Sequence, residues 1–296
     1  MLAVLGCALL CSGQQPDPCL ERRILVVPTA VGPKAASEFS GERIRGEVHG
    51  KPVSIIGLTP FAGRRRTVVL LDASGSMKNK WATVLAITAN LIKSAPDDVS
   101  IAMVSYSDKF EDVVNFSQHS RSDIEQRVLE YGKRDDFPRG SSPLLAAISR
   151  AADLLQPAQF GDSILFITDA GEDEERERVE TVRRRLIAAG IRLFSILFAD
   201  ATPRTEGERS WVGILEKLAE ETGGWHMITD NPGPAAANSF ITSINENRGL
   251  SLVVRLPGPI PQWQKWKLFV VDVKGKPSTK TTLSYPRFLS PCEQRN

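Results

Sequence analysis

Between Thr67 and Asn247 short apolar runs alternate with longer stretches of helical spacing, and this alternation limits the fold more than any other feature. Val68-Val69-Leu70-Leu71, Ile101-Ala102-Met103-Val104, Ile164-Leu165-Phe166-Ile167 and Ile191 to Phe198 are such runs. A strand needs that pattern when both of its faces are covered. Trp81, Val84, Leu85, Thr88, Leu91 and Ile92 recur at helical spacing, as do Leu144, Leu145, Ile148, Ala151, Ala152 and Leu155 before Pro157. Ser122 and Glu125 are spaced as a capping box ahead of Ile124, Val128 and Leu129. Glu172 to Arg185, acid-rich first and arginine-rich last, predicts a surface helix aligned with its dipole. Trp211, Ile214, Leu215 and Leu218 predict a helix that Gly223 can close. Trp225 to Ile228 predicts a last short strand, and Phe240, Ile241 and Ile244 a final helix. Together these elements predict an α/β fold with a doubly wound, mostly parallel sheet.

The flanks read differently. Ile24-Leu25-Val26-Val27, then Ile44 to Val48 and Val53 to Ile56 around a turn at His49-Gly50-Lys51-Pro52, are β-like. After Arg248, the stretches Leu250–Leu256, Trp266–Val273 and Thr281–Tyr285 are three further strand candidates. The expected layout is an N-terminal β segment over residues 20–62, an α/β domain over 66–248 and a C-terminal β segment over 249–292. The two β segments are expected to pack into one small domain built from both chain ends. Trp263 and Trp266 are expected to fill it, and Arg64-Arg65-Arg66 to form a solvated charge run at the boundary.

The formal net charge of +2 supplies no field for nucleic acid, and no apolar run reaches the 18 residues of a membrane span. Leu2 to Cys11 is uncharged and apolar and is followed by the small residues Ser12 and Gly13, so residues 1–13 read as a signal peptide. No Lys or Arg precedes it, and a buried first element is the rival reading. A lipid anchor would need Cys7, which has too short a lead, or Cys11, which follows the bulky Leu10. The expected location is secreted, periplasmic or cell-surface. Export would leave Cys19 and Cys292 at opposite ends of the chain, either bonded or as two separate thiols.

Two strands end on aspartate: Leu70-Leu71-Asp72 and Ile167-Thr168-Asp169. In open α/β sheets ligands bind beyond the carboxyl ends of the strands. Ala73-Ser74-Gly75-Ser76 follows the first aspartate, and Gly140-Ser141-Ser142-Pro143 precedes the helix that begins at Leu144. Two carboxylates and three hydroxyls at one sheet edge form an oxygen-only set, which hard divalent cations require.

Asp72-Ala73-Ser74-Gly75-Ser76 resembles the DxSxS motif of von Willebrand factor type A domains. Gly140 to Leu144 resembles that family's Gly-x-Thr-Pro-Leu loop, and Thr168-Asp169 its Thr-Asp-Gly loop. The wider layout is similar to bacterial exported proteins of this type. The resemblance implies a metal-ion-dependent adhesion site, with Mg²⁺ or Mn²⁺ held by Asp72, Ser74, Ser76, Ser142 and Asp169. It also implies a protein partner that completes the shell with an acidic side chain. Two departures stand out. Ser142 replaces the family's threonine, with Ser141 as the alternative by one position, and Ala170 replaces the glycine, with Gly171 one later.

The function expected is therefore protein binding and adhesion, without catalysis. A Mg²⁺-dependent hydrolase or phosphotransferase using the same oxygens would lack a base and a phosphate cradle. A scaffold with a vestigial metal site is the other alternative. His49, His119 and His226 share no ligand spacing, which argues against zinc.

Overall fold

The computed structural model describes residues 19–30, 41–116, 120–134, 138, 140–171, 178–199, 206–230, 234–246, 249–272, 274–278 and 281–292. The proposed signal peptide over residues 1–13 with Cys7 and Cys11, His119, and residues 172–177 of the predicted surface helix lie outside the described residues. The chain begins with three strands, β1 (Glu21–Ala30), β2 (Ile44–Val48) and β3 (Lys51–Pro60). Next come β4 (Arg65–Asp72), α1 (Trp81–Ser94), β5 (Val99–Tyr106), β6 (Phe110–Val114), α2 (Arg121–Gly132), α3 (Leu144–Leu154) and β7 (Ser163–Thr168). They are followed by α4 (Val179–Ala189), β8 (Arg192–Leu197), α5 (Glu206–Glu221), β9 (His226–Ile228) and α6 (Pro234–Glu246). The last strands are β10 (Leu250–Arg255), β11 (Gln264–Val270), β12 (Thr281–Ser284) and β13 (Phe288–Leu289).

Alternate residues of β4 belong to different cores. Val69 and Leu71 pack with Trp81, Val84 and Leu91 of α1, Val128 of α2 and Ile241 of α6. Val68 and Leu70 pack with Leu145 and Ile148 of α3, Leu186 of α4 and Leu215 of α5. This two-sided burial is the physical reason for the uninterrupted apolar run. The sheet order is β6-β5-β4-β7-β8-β9, parallel throughout except for the antiparallel β5–β6 edge. Strand order therefore reverses between β4 and β7, and the crevice at their carboxyl ends is a topological switch point. The edge strand β6 was not foreseen, because Phe110-Glu111-Asp112 is only partly buried and carries no apolar run.

The flanking strands form a second, seven-stranded sheet in the order β12-β1-β10-β3-β2-β11-β13, with antiparallel pairing throughout. Strands from the two chain ends interleave, so β1 lies between β10 and β12. Val26, Leu252, Trp266, Leu268 and Tyr285 share its core. Trp266 meets Tyr285 edge-on at 5.6 Å and donates through Nε1 to the Pro286 carbonyl at 2.7 Å. Trp263 is half-buried beneath the Arg184 guanidinium. Cys19 and Cys292 are joined in a disulfide across a sequence separation of 273.

Four local expectations require correction or refinement. The capping box uses Ser120 and Asp123, not Ser122 and Glu125: the Ser120 backbone is extended and its hydroxyl accepts from Asp123 N. Arg65 and Arg66 belong to β4 and are not a solvated linker run. Arg65 is 4% exposed and donates to the carbonyls of Ile244 and Asn245 in the last turn of α6. Arg66 forks onto Asp162 at 2.6 and 3.0 Å. The turn between β2 and β3 is shorter than expected, because only His49 (φ 52°) and Gly50 (φ 72°) occupy the left-handed region. Finally, the arginines of α4 lie in mid-helix, where Arg183 and Arg184 pair with Glu180 and Arg185 pairs with Asp153. Among the described residues no helix is long and apolar enough to cross a membrane.

Candidate metal centre

The end of β4 delivers Asp72 to the switch point, where it is fully buried. Its Oδ1 accepts from Ser74 N at 2.9 Å, which turns the chain back on itself. Oδ2 accepts from the Ser142 hydroxyl at 2.9 Å and from the Thr168 hydroxyl at 2.6 Å. The Ser74 and Ser76 hydroxyls lie 3.1 Å apart, and Ser76 Oγ donates to Asp169 Oδ1 at 3.1 Å. All five residues expected at the site are thus joined in one network. Ser76 is exposed, whereas Ser74 and Ser142 are buried, so the network opens to solvent on the Ser76 side.

Backbone contacts hold the loops together. Gly75 N donates to the Gly140 carbonyl at 3.2 Å. Gly140 has φ 86°, which strains any other residue, and a Cβ there would lie 2.4 Å from the Asp108 carboxylate and push it from its bonds to Ser141. That carboxylate accepts from both Ser141 N and Ser141 Oγ at 2.8 Å. Ser141 therefore faces Asp108 and Ser142 faces Asp72, which resolves the one-position ambiguity between the two serines.

Burial, the largest influence, raises the Asp72 carboxyl above its ordinary range; the hydrogen bonds from Ser74 and Thr168 oppose the shift and the charge of Asp169 adds to it. Tyr106, the register partner of Asp72 on β5, is also fully buried. Its phenol is pushed well above 10.0 by burial first and by the Asp72 charge second. Its ring stacks on Phe166 at 5.7 Å, while its hydroxyl has no hydrogen-bond partner among the described residues. The network carries two carboxylates and one internal cation: Lys80 Nζ lies 3.3 Å from Asp169 Oδ2 and donates to the Phe198 carbonyl at 3.3 Å.

A hydroxyl-rich, two-carboxylate donor set fits a small hard cation such as Mg²⁺ or Mn²⁺, which retains waters and needs few anionic ligands. Among the described residues no three His, Cys, Asp or Glu side chains cluster. His226 pairs with Glu216 at 3.1 Å, away from this network.

The model of the von Willebrand factor type A domain matches residues 67–235. The chain belongs to that family.

The solved structures to which the chain is similar include these three. A mutant of the PilB minor pilin from Streptococcus sanguinis is 14% identical with a TM-score of 0.47, covering 63% of this chain and 62% of that one. An aerotolerance-related membrane protein from Bacteroides fragilis is 17% identical with a TM-score of 0.46, covering 63% and 98%. Proximal thread matrix protein 1 of the mussel byssus, with a zinc-occupied MIDAS motif, is 16% identical with a TM-score of 0.48, covering 66% and 48%. The chain thus spans less than two thirds of the length of the pilin and of the byssus protein. No curated protein sequence matches it.

The A domain keeps the glycine-like conformation of its last loop without the glycine. Ala170 has φ 57°, and its N–H donates to the Thr168 hydroxyl at 3.0 Å. The left-handed turn therefore stays directly after Asp169 and does not move to Gly171. Sequence reasoning did not assign roles to Thr168, Tyr106, Lys80 or Asp108. Thr168 was visible as part of the Thr-Asp pair; Lys80 and Asp108 carry no local signal and become neighbours of the site only through the fold.

Proposed function

We propose that the chain is an exported binding module whose A domain engages a protein partner through a divalent cation. Asp72, Ser74, Ser76, Ser142 and Asp169 would hold Mg²⁺ or Mn²⁺ directly or through water, and an Asp or Glu of the partner would supply the remaining oxygen. The observation that carries this reading is the single hydrogen-bonded network that joins those five residues at the switch point, the Asp72–Ser74 link running through the Ser74 backbone N–H. Binding would then be metal-dependent and reversed by chelators. Export is supported by the apolar run Leu2 to Cys11 and by the disulfide, a bond that persists in oxidising compartments.

One observation favours a scaffold whose metal site is vestigial: the Lys80 ammonium already sits against Asp169. Thermal unfolding separates the two readings. A metal that binds only the folded chain raises the midpoint by mass action, by about 2.7 kcal/mol at one hundred times its Kd. The expected result is a rise with Mg²⁺ or Mn²⁺ over chelator that disappears in Asp169→Ala. No rise with either ion at high concentration would leave the scaffold reading standing and overturn the metal-dependent one.

A further inference from the structure

At the amino-terminal end of the parallel strands, opposite the Asp72 end, Arg192 opens β8 and is only 3% exposed. Its Nε and Nη1 are buried and lack a hydrogen-bond partner among the described residues. Neighbouring arginines are engaged differently. Arg65 caps α6, Arg66 forks onto Asp162, and Arg23 donates to the Ser251 hydroxyl at 2.8 Å while stacking on Phe160. Arg192 rests against the ring of Phe194, at 5.2 Å, and among the described residues no carboxylate pairs with it. Burial, followed by the like charge of Arg65, pulls the guanidinium down to about 9.

Arg192 also lines a cavity of about 270 Å³ between the A domain and the β domain. Arg22 and Arg23 of β1 line it as well, and among the described residues no Asp or Glu does. Its remaining wall includes Leu25, Trp266 and Phe288. A buried unpaired cation is strongly unfavourable, and the same group becomes favourable once an anion seats on it. A carboxylate is the matching anion: its planar pair of oxygens suits a guanidinium, and the apolar wall can hold a hydrocarbon body.

We propose that this interdomain cavity is a binding site for a small organic acid, whose carboxylate pairs with Arg192 and whose apolar body packs on Leu25, Trp266 and Phe288. Because residues of both domains line the cavity, the bound acid ties the β domain to the base of the A domain. The site lies at the end of the parallel strands opposite Asp72 and is independent of the metal centre.

The test uses the full oxidised chain with hexanoate as probe and hexanol and inorganic phosphate as controls, read by calorimetric titration and by thermal midpoint. Hexanoate is expected to bind with one-to-one stoichiometry and raise the midpoint, while hexanol and phosphate do neither. Arg192→Met is expected to weaken hexanoate binding by about tenfold or more, the size of a lost charge-assisted hydrogen bond. Should that variant fail to fold, Ala189→Leu, which fills the cavity from the end of α4 while leaving Arg192 in place, is expected to abolish hexanoate binding. Absence of hexanoate binding to the wild-type chain, equal binding of hexanol or phosphate, or full hexanoate affinity in the folded variants would overturn the proposal.

Discussion

Thr168 and Asp72 end adjacent parallel strands, and the Thr168 hydroxyl donates to Asp72 Oδ2 at 2.6 Å. The same hydroxyl accepts from Ala170 N, so one side chain holds both the buried carboxylate and the left-handed turn after Asp169. Thr168→Val keeps the shape and removes both bonds. It is expected to cost about 2–3 kcal/mol by chemical denaturation, the range for a lost bond to a charged group plus an orphaned N–H. A cost below about 0.5 kcal/mol would show that the hydroxyl supports neither.

Burial raises the Asp72 carboxyl, so in chelator the folded chain keeps a proton that the unfolded chain releases above pH 3.8. The contribution of this group to stability therefore falls as pH rises from that value through the raised folded one. Asp72→Asn removes the buried charge and leaves an acceptor for Ser74 N. The variant is expected to be more stable than wild type in chelator at neutral pH, by on the order of 1–2 kcal/mol, and to lose all response to Mg²⁺. A destabilised variant that still responds to Mg²⁺ would remove Asp72 from the site.

Ser142 and Ser141 face different carboxylates, Asp72 and Asp108. Ser142→Ala should weaken Mg²⁺ or Mn²⁺ binding by about tenfold, the worth of one lost charged hydrogen bond or oxygen ligand. Ser141→Ala should leave metal affinity within about twofold, since Ser141 N still donates to Asp108. Titration calorimetry on both variants checks the pair, and the reverse order of effects would mean that the loop is shifted by one residue.

Lys80 competes electrostatically with any cation held by Asp169. Lys80→Gln is expected to raise Mg²⁺ affinity by about tenfold, because a unit charge a few ångströms from the ion is removed. The same change should lower the midpoint in chelator, where Asp169 loses its partner. Unchanged affinity would show that Lys80 swings away when metal binds.

The Cys19–Cys292 bond closes most of the chain into one loop. In the chain-entropy model such a loop is worth about 5 kcal/mol, an upper figure because native geometry and residual unfolded structure reduce it. The double serine variant, Cys19→Ser with Cys292→Ser, should unfold at markedly lower denaturant than the oxidised wild type and match the reduced wild type. Equal stability of oxidised and reduced chains would mean that the bond constrains little.

Legibility followed the range over which each feature is decided. The apolar runs and helical stripes were readable because each residue's burial repeats with the period of its own element. The DxSxS stretch was readable because Asp72, Ser74 and Ser76 are neighbours in sequence, and Gly140 to Leu144 and Thr168-Asp169 followed in order. Arg65 was misread for the opposite reason: three adjacent arginines look solvated until α6, some 180 residues later, brings its carbonyls to one of them.

The sequence by itself determined the α/β class and most element types, β6 excepted, and it placed Asp72, Ser74 and Ser76 close together, because each of these is written in local spacing. Tertiary structure alone decided which serine faces Asp72, that Lys80 reaches Asp169, that the end strands interleave with Cys19 against Cys292, and that Arg192 is buried with no hydrogen bond to its Nε and Nη1 among the described residues. Those relationships join residues tens to hundreds of positions apart, and no local period encodes them. They depend on strand order and on the packing of one domain against the other.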